Sequence, residues 1–112
     1  MAFPSIKLKK EFDLLYRKGK ICGGSFFSLR VLEGREKGPT KFGIVISTKI
    51  SKKATERNKK RRQLKEIIRL YSPEICENQL ALIVLKDEGL EASYEDLEKE
   101  FLFLLKKAKI MK

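Results

Sequence analysis

Histidine is absent from all 112 residues. That removes the side chain most often used to move protons near neutral pH, so a histidine-based general acid/base scheme is excluded. Cysteine occurs twice, at Cys22 and Cys76. They form no Cys-x-x-Cys pair, so neither a zinc site nor a disulfide framework is indicated, and both thiols are expected to stay reduced. No apolar run reaches the length a bilayer demands, and no terminus reads as a basic amphipathic anchor. Residues 1–10 contain no apolar core of signal-peptide length, which predicts a cytoplasmic protein with no membrane association. No two acids stand at a spacing that argues for a protein-held two-metal centre. No internal repeat or low-complexity linker is present, and the length suits a single domain spanning residues 1–112.

What the chain does have is positive charge. Lysine and arginine number 26 against 15 acids, for a net charge of +11 and an isoelectric point near 9.8. The excess is concentrated: Lys49–Lys65 (KISKKATERNKKRRQLK) holds nine basic side chains and one acid, Glu56. The acids gather instead in residues 74–100. A basic segment set inside a folded chain with 42% apolar residues predicts a polyanion partner, an RNA or a DNA, met by one side of the molecule. No helix-turn-helix spacing accompanies it, which places a DNA-binding regulator behind an RNA binder.

Periodicity outlines the elements. Leu8–Lys18 reads as a helix with Leu8, Phe12, Leu15 and Tyr16 on one stripe, and Gly19 is placed to end it. Ser25–Leu32 alternates as a half-buried strand, with Phe27, Leu29 and Val31 on one face and Phe26, Ser28 and Arg30 on the other. Gly34–Thr40 is a turn. The near-continuous apolar runs Phe42–Ser47 and Gln79–Lys86 predict central strands covered on both sides. Between them lies a helix over Lys52–Tyr71, stopped by Ser72 and Pro73. Ser93 caps a last helix that carries Tyr94, Leu97, Phe101, Leu104 and Ala108 inward. The order α-β-β-α-β-α predicts an α+β sandwich-like domain, a mixed central sheet with helices packed on it.

The long helix contains a conflict. Leu64, Ile67, Ile68 and Tyr71 share a stripe that, traced back, meets Arg57, Lys60 and Arg61. Burying those charges unpaired is costly, so the first half of the helix is expected to overhang the core edge, polar all round, with Lys60 at most laying its stem on the apolar rim.

Phe42–Lys49 (FGIVISTK), a short basic turn and then ERNKKRRQLKEIIRL closely resemble the signature of the bacterial ribonuclease P protein family, in which a strand ending in V-S-K-K leads to a helix opening with R-N-R. Here the triplet is Arg57-Asn58-Lys59. Lys9–Lys20 (KKEFDLLYRKGK) resembles the family's first helix, and the element order matches over nearly the whole chain. The resemblance implies a ribosomal protein S5 domain 2-like fold with a left-handed β-α-β crossover, where general rules predict a right-handed one. It implies the non-catalytic protein subunit of an endoribonuclease that removes the 5′ leader from precursor tRNA. The partners would be the ribonuclease P RNA and precursor tRNA, with no obligate protein partner, and Mg²⁺ would be held mainly by the RNA. Arg57, Asn58, Lys59, Arg61, Arg62 and Lys65, with Lys49, Lys52 and Lys53 of the preceding loop, would contact RNA. Phe12 and Tyr16 would line a cleft for the single-stranded leader, with Arg30 at a position usually aromatic and Phe26 beside it. A generic ribosome- or tRNA-associated RNA binder is the alternative, and an autonomous metal-dependent nuclease the rival among enzymes.

Overall fold

The computed structural model describes residues 5–6, 9–34 and 38–112. Helix α1 (Lys9–Lys18) is followed by strands β1 (Lys20–Gly23), β2 (Phe27–Glu33) and β3 (Lys41–Val45), helix α2 (Ala54–Tyr71), strand β4 (Gln79–Leu85) and helix α3 (Tyr94–Ala108). One sheet carries all four strands in the order β1-β2-β4-β3. β2 is antiparallel to β1 and β4, and β3 runs parallel to β4. The sheet is mixed, as expected, but it holds one strand more than the sequence reading predicts. β1 is four residues long and turns only Cys22 inward, too short a stretch for alternation to announce it. Leu8 and the middle of the Gly34–Thr40 turn lie outside the described residues.

Alternation along the strands divides the core. Phe27, Leu29, Val31, Phe42, Ala81, Ile83 and Leu85 face one side, where they meet Leu64, Ile67 and Ile68 of α2 and Leu97, Phe101, Leu104 and Leu105 of α3. Phe101 sits among aromatic neighbours, its ring centroid 6.3 Å from Phe42 and 6.4 Å from Tyr71 in tilted arrangements. Leu80 and Leu82 face the other side and pack with Ile6, Leu15 and the half-buried Phe12. β4 is thus covered on both faces, which is why its sequence is apolar almost without interruption.

The crossover from β3 through α2 to β4 is left-handed. Phe42 points its ring to the α2 side, while its carbonyl accepts the Ile6 N–H at 3.0 Å on the outer edge of β3. For an L-residue seen from its side-chain face with the strand running upward, its carbonyl lies to the right. β4 therefore lies to the left of β3 as viewed from α2, the rare hand.

Two local devices join α3 to the sheet. Ser93 caps the helix, its Oγ accepting the Asp96 N–H at 3.1 Å. Further along, the Glu100 carboxylate accepts three consecutive backbone N–H groups of the β1–β2 turn, from Ser25 at 2.6 Å, Phe26 at 2.8 Å and Phe27 at 2.9 Å. Gly24 leaves room for it: a Cβ there would lie 2.5 Å from the carboxyl carbon and push the carboxylate aside. Charge-assisted hydrogen bonds of this kind are each worth about 1.5–3 kcal/mol, with partial solvent exposure discounting the outermost. Glu100→Ala should therefore lower unfolding free energy by about 2–4 kcal/mol, and Glu100→Gln, which keeps one acceptor oxygen, should recover part of it. Urea titration followed by circular dichroism measures both; an unchanged midpoint in Glu100→Ala would show that the turn does not depend on this carboxylate.

Candidate nucleic-acid interface

The entry to α2 is assembled by the residues that lead into it. Lys53 occupies the N-cap without a side-chain hydrogen bond. Buried Ser51 acts in its place: its Oγ accepts the Lys53 N–H at 3.2 Å and donates to Glu56 Oε1 at 2.8 Å. Arg57 then donates from Nη1 to the Ser51 carbonyl at 2.7 Å. Arg57 is half-buried, so part of its guanidinium fixes the β3–α2 loop. The single acid of the basic window is there for the same reason, holding the loop serine.

The overhang expected for the first half of α2 is shorter than the sequence reading has it. Lys60 is buried, 6% exposed, and its ammonium donates to the Ala92 carbonyl in the turn before α3. The helix is seated from Lys60 onward. Burial, reinforced by the neighbouring Lys59 charge, holds the Lys60 pKa below its ordinary value. The sequence could not reveal the acceptor, because Ala92 lies 32 residues away and offers only backbone.

The remaining cations of α2 are presented to solvent. Asn58, Arg62, Lys65 and Arg69 follow one another at helical spacing on the exposed side. Arg69, which the sequence reading leaves out, is engaged by Glu66, whose carboxylate accepts from its guanidinium, including the Nε at 3.2 Å. Arg61 is half-buried beside this stripe, its Nη1 3.5 Å from Asn58 Oδ1. Lys59 is exposed on the flank, and Lys49, Lys52 and Lys53 are exposed in the loop that joins β3 to α2. All nine residues expected to contact RNA thus lie on one continuous loop-and-helix unit; among the described residues none of the nine forms a salt bridge to an acid, and Arg57 is partly committed to the loop through the Ser51 carbonyl.

The opposite face of the sheet carries a second feature. α1 covers the row Arg30, Leu82 and Gly43 but leaves the next row, Ser28, Val84 and Val45, half-exposed. Phe12 is half-buried against the α1-side core, within contact reach of Gly43, where a larger residue would crowd its ring. Tyr16 is 47% exposed, and the Arg30 guanidinium lies over its ring at 4.6 Å, with Nη1 donating to the Tyr16 carbonyl at 3.3 Å. Arg30 Nε is buried without a hydrogen-bond partner. Together Tyr16 and Arg30 form a planar, cationic rim above an apolar floor.

Phe26 does not join them. It precedes β2, where the alternation breaks, and it packs against the core on the α2 and α3 side; its N–H is bound by Glu100. Sequence alternation carried one residue too far placed it on the Arg30 face. The structure instead brings Ile21 there, 56% exposed and paired in register with Arg30. Ile21 was illegible because β1 itself was.

The sequence of this chain matches the family model "Ribonuclease P" over residues 3–109. It is 38% identical over 117 aligned positions to the ribonuclease P protein component of Microcystis aeruginosa, covering 99% of this chain and 98% of that one. The corresponding protein of Rippkaea orientalis is 38% identical over 95% of this chain and 87% of its own. Among solved structures, the ribonuclease P protein of Staphylococcus aureus superposes with a TM-score of 0.87 at 21% identity, covering 96% of this chain and 97% of that chain. The Thermotoga maritima protein does so with 0.82 at 23% identity, covering 92% and 96%. At these identities the two structures show a shared fold.

The Lys60 seat predicts a pH dependence. In the unfolded chain Lys60 titrates near 10.5, and in the folded chain lower. Between the two values the unfolded chain binds more protons, so the cost of burying the ammonium is full at neutral pH and is relieved as pH rises through that window. The melting temperature of the natural chain should therefore gain on that of Lys60→Met between neutral pH and 10.5. A constant difference between the two across that range would mean that the buried ammonium carries no such cost.

Proposed function

We infer the function from the premise that this chain belongs to the ribonuclease P protein family. It is the protein subunit of ribonuclease P, an endoribonuclease whose chemistry is carried by RNA, and its partner is a ribonuclease P RNA. We propose that the β3–α2 loop and the exposed face of α2 bind the phosphates and riboses of that RNA, and that the cleft under Tyr16 and Arg30 holds the single-stranded 5′ leader of precursor tRNA. The observation that carries this reading is the separation of the two surfaces: an unneutralised cationic helix on one side of the sheet, and on the other a half-exposed apolar floor with an aromatic and arginine rim.

The two surfaces suit different ligands. Arginine forks at Arg61 and Arg62 can each hold a phosphate in two-point fashion, whereas Lys59 and Lys65 contribute as point charges. Stacking on Tyr16 does not depend on base identity, which suits a leader of variable sequence. Mg²⁺ is assigned mainly to the RNA; among the described residues no group of three or more His, Cys, Asp or Glu is placed to hold a metal ion. Among those residues no helix is long and apolar enough to cross a membrane, and we place the protein with its RNA in the cytoplasm.

Cleavage of precursor tRNA with Mg²⁺ near physiological salt, with and without a bacterial ribonuclease P RNA, tests the assignment. The chain should stimulate RNA-dependent leader removal and cleave nothing alone. Cleavage by the protein by itself would point to an autonomous nuclease, and no effect on the RNA would point to a generic RNA binder. Two substitutions separate the surfaces. Arg62→Ala should weaken binding to the catalytic RNA and lower the slope of log affinity against log salt by about 1. Tyr16→Ala should leave that slope alone and weaken binding of leader-bearing tRNA by about 1–3 kcal/mol, with no change for tRNA lacking a leader. Equal losses for both tRNA forms would remove Tyr16 from the leader path.

A further inference from the structure

A cavity of about 330 Å³ lies where α2 meets the turn leading into α3, on the side of α2 away from the Arg62 stripe. That is near the lower bound for sites that enclose a small ligand. Lys59 and Lys60 line it, and so do Glu56 and Glu91. The wall is therefore electrically balanced, and a bare phosphate entering it would face two carboxylates. A neutral polar ligand meets no such repulsion.

The wall also holds unused hydrogen-bonding capacity of both kinds. Lys60 is 6% exposed, and of its three ammonium N–H donors one acceptor is accounted for, the Ala92 carbonyl. Gln63 lines the same cavity one helical turn further on, and its Oε1 is buried without a hydrogen-bond partner. A donor and an acceptor left over in one cavity wall, both withdrawn from water, favour a ligand whose edge presents an acceptor next to an N–H. Every nucleobase does so on its pairing edge, provided it is unstacked and splayed out of a helix. Leu90, half-buried in the wall, supplies an apolar surface for the face of such a ring.

We propose that this cavity takes one unstacked RNA base, with Lys60 donating to its acceptor edge, Gln63 accepting from its N–H and Leu90 against its face. The inference rests on the reading of α2 as an RNA-facing helix, because Lys59 belongs both to the cationic surface and to the cavity wall. It gives this chain a contact to a base in addition to its contacts to backbone.

The test is a nuclear magnetic resonance titration of the full chain with each of the four nucleoside 5′-monophosphates, and with ribose 5-phosphate as the charge-matched probe without a base. At least one nucleotide should saturably shift the Gln63 side-chain amide and the backbone amides of Glu91 and Ala92, and ribose 5-phosphate should not. Lys60→Met, which keeps the stem and removes the donors, should weaken that nucleotide at least fivefold. Gln63→Met, at a half-buried position, should do the same if Lys60→Met does not fold. Equal shifts from ribose 5-phosphate, shifts confined to Asn58 and Arg62, or unchanged affinity in a folded variant would overturn the proposal. The experiment uses no catalytic RNA. A chain that binds a nucleotide here but does not stimulate leader cleavage would overturn the proposed function and leave this site standing.

Discussion

The seating of α2 on the sheet is the constraint from which the functional surfaces follow. Leu64, Ile67 and Ile68 are fully buried against the strands and against α3. Burial of three such side chains is worth about 1.5–3 kcal/mol each, enough to hold an 18-residue helix whose first turns repel themselves. A free peptide with this density of like charge would gain little from helix formation. Tertiary packing of the second half therefore imposes helical geometry on the first, and the cations acquire fixed positions because hydrophobic residues further along are fixed.

Much of this was legible in the residues. β4 is apolar on both faces and could be nothing but central; α3 announces itself with Ser93 and a regular apolar stripe; α2 carries its polarity along its length. What escaped detection depends on long-range partners. Lys60 looked like a residue at the core edge because the acceptor that lets it be buried is a backbone carbonyl from a distant turn. Glu100 lies off the apolar stripe of α3 and went unremarked, although its carboxylate organises a turn about 75 residues earlier in the chain. Phe26 and Ile21 exchanged roles at the sheet edge because a four-residue strand has no periodicity to read. In each case the missing information was which backbone groups would be left to satisfy, a quantity fixed by topology.

The charge distribution follows the same logic. Three acids in the basic half of the molecule have structural employment: Glu56 holds Ser51, Glu11 pairs with Lys41 at 3.3 Å, and Glu66 engages Arg69. On α3, Glu98 accepts from the Tyr71 hydroxyl at the C-terminal end of α2 at 2.9 Å and raises its pKa, and Glu100 is bound to the β1–β2 turn. Negative charge near the cationic face is thus largely engaged by neighbouring side chains, which leaves the Arg62 and Lys65 side chains without an acidic partner among the described residues.

The hand of the β3–α2–β4 crossover decides whether the cationic helix and the Tyr16–Arg30 rim share one face of the sheet or stand on opposite faces. With the same strand order and the opposite hand, α2 would descend over the face that α1 and the Tyr16–Arg30 rim occupy, and one polyanion would exclude the other. The left-handed path sends α2 to the far side. A sheet and its packed side chains, a layer about 10 Å thick, then stand between the two surfaces. A rare chirality thereby makes a small protein a two-sided spacer, in which neither the cationic helix nor the aromatic and arginine rim covers the other.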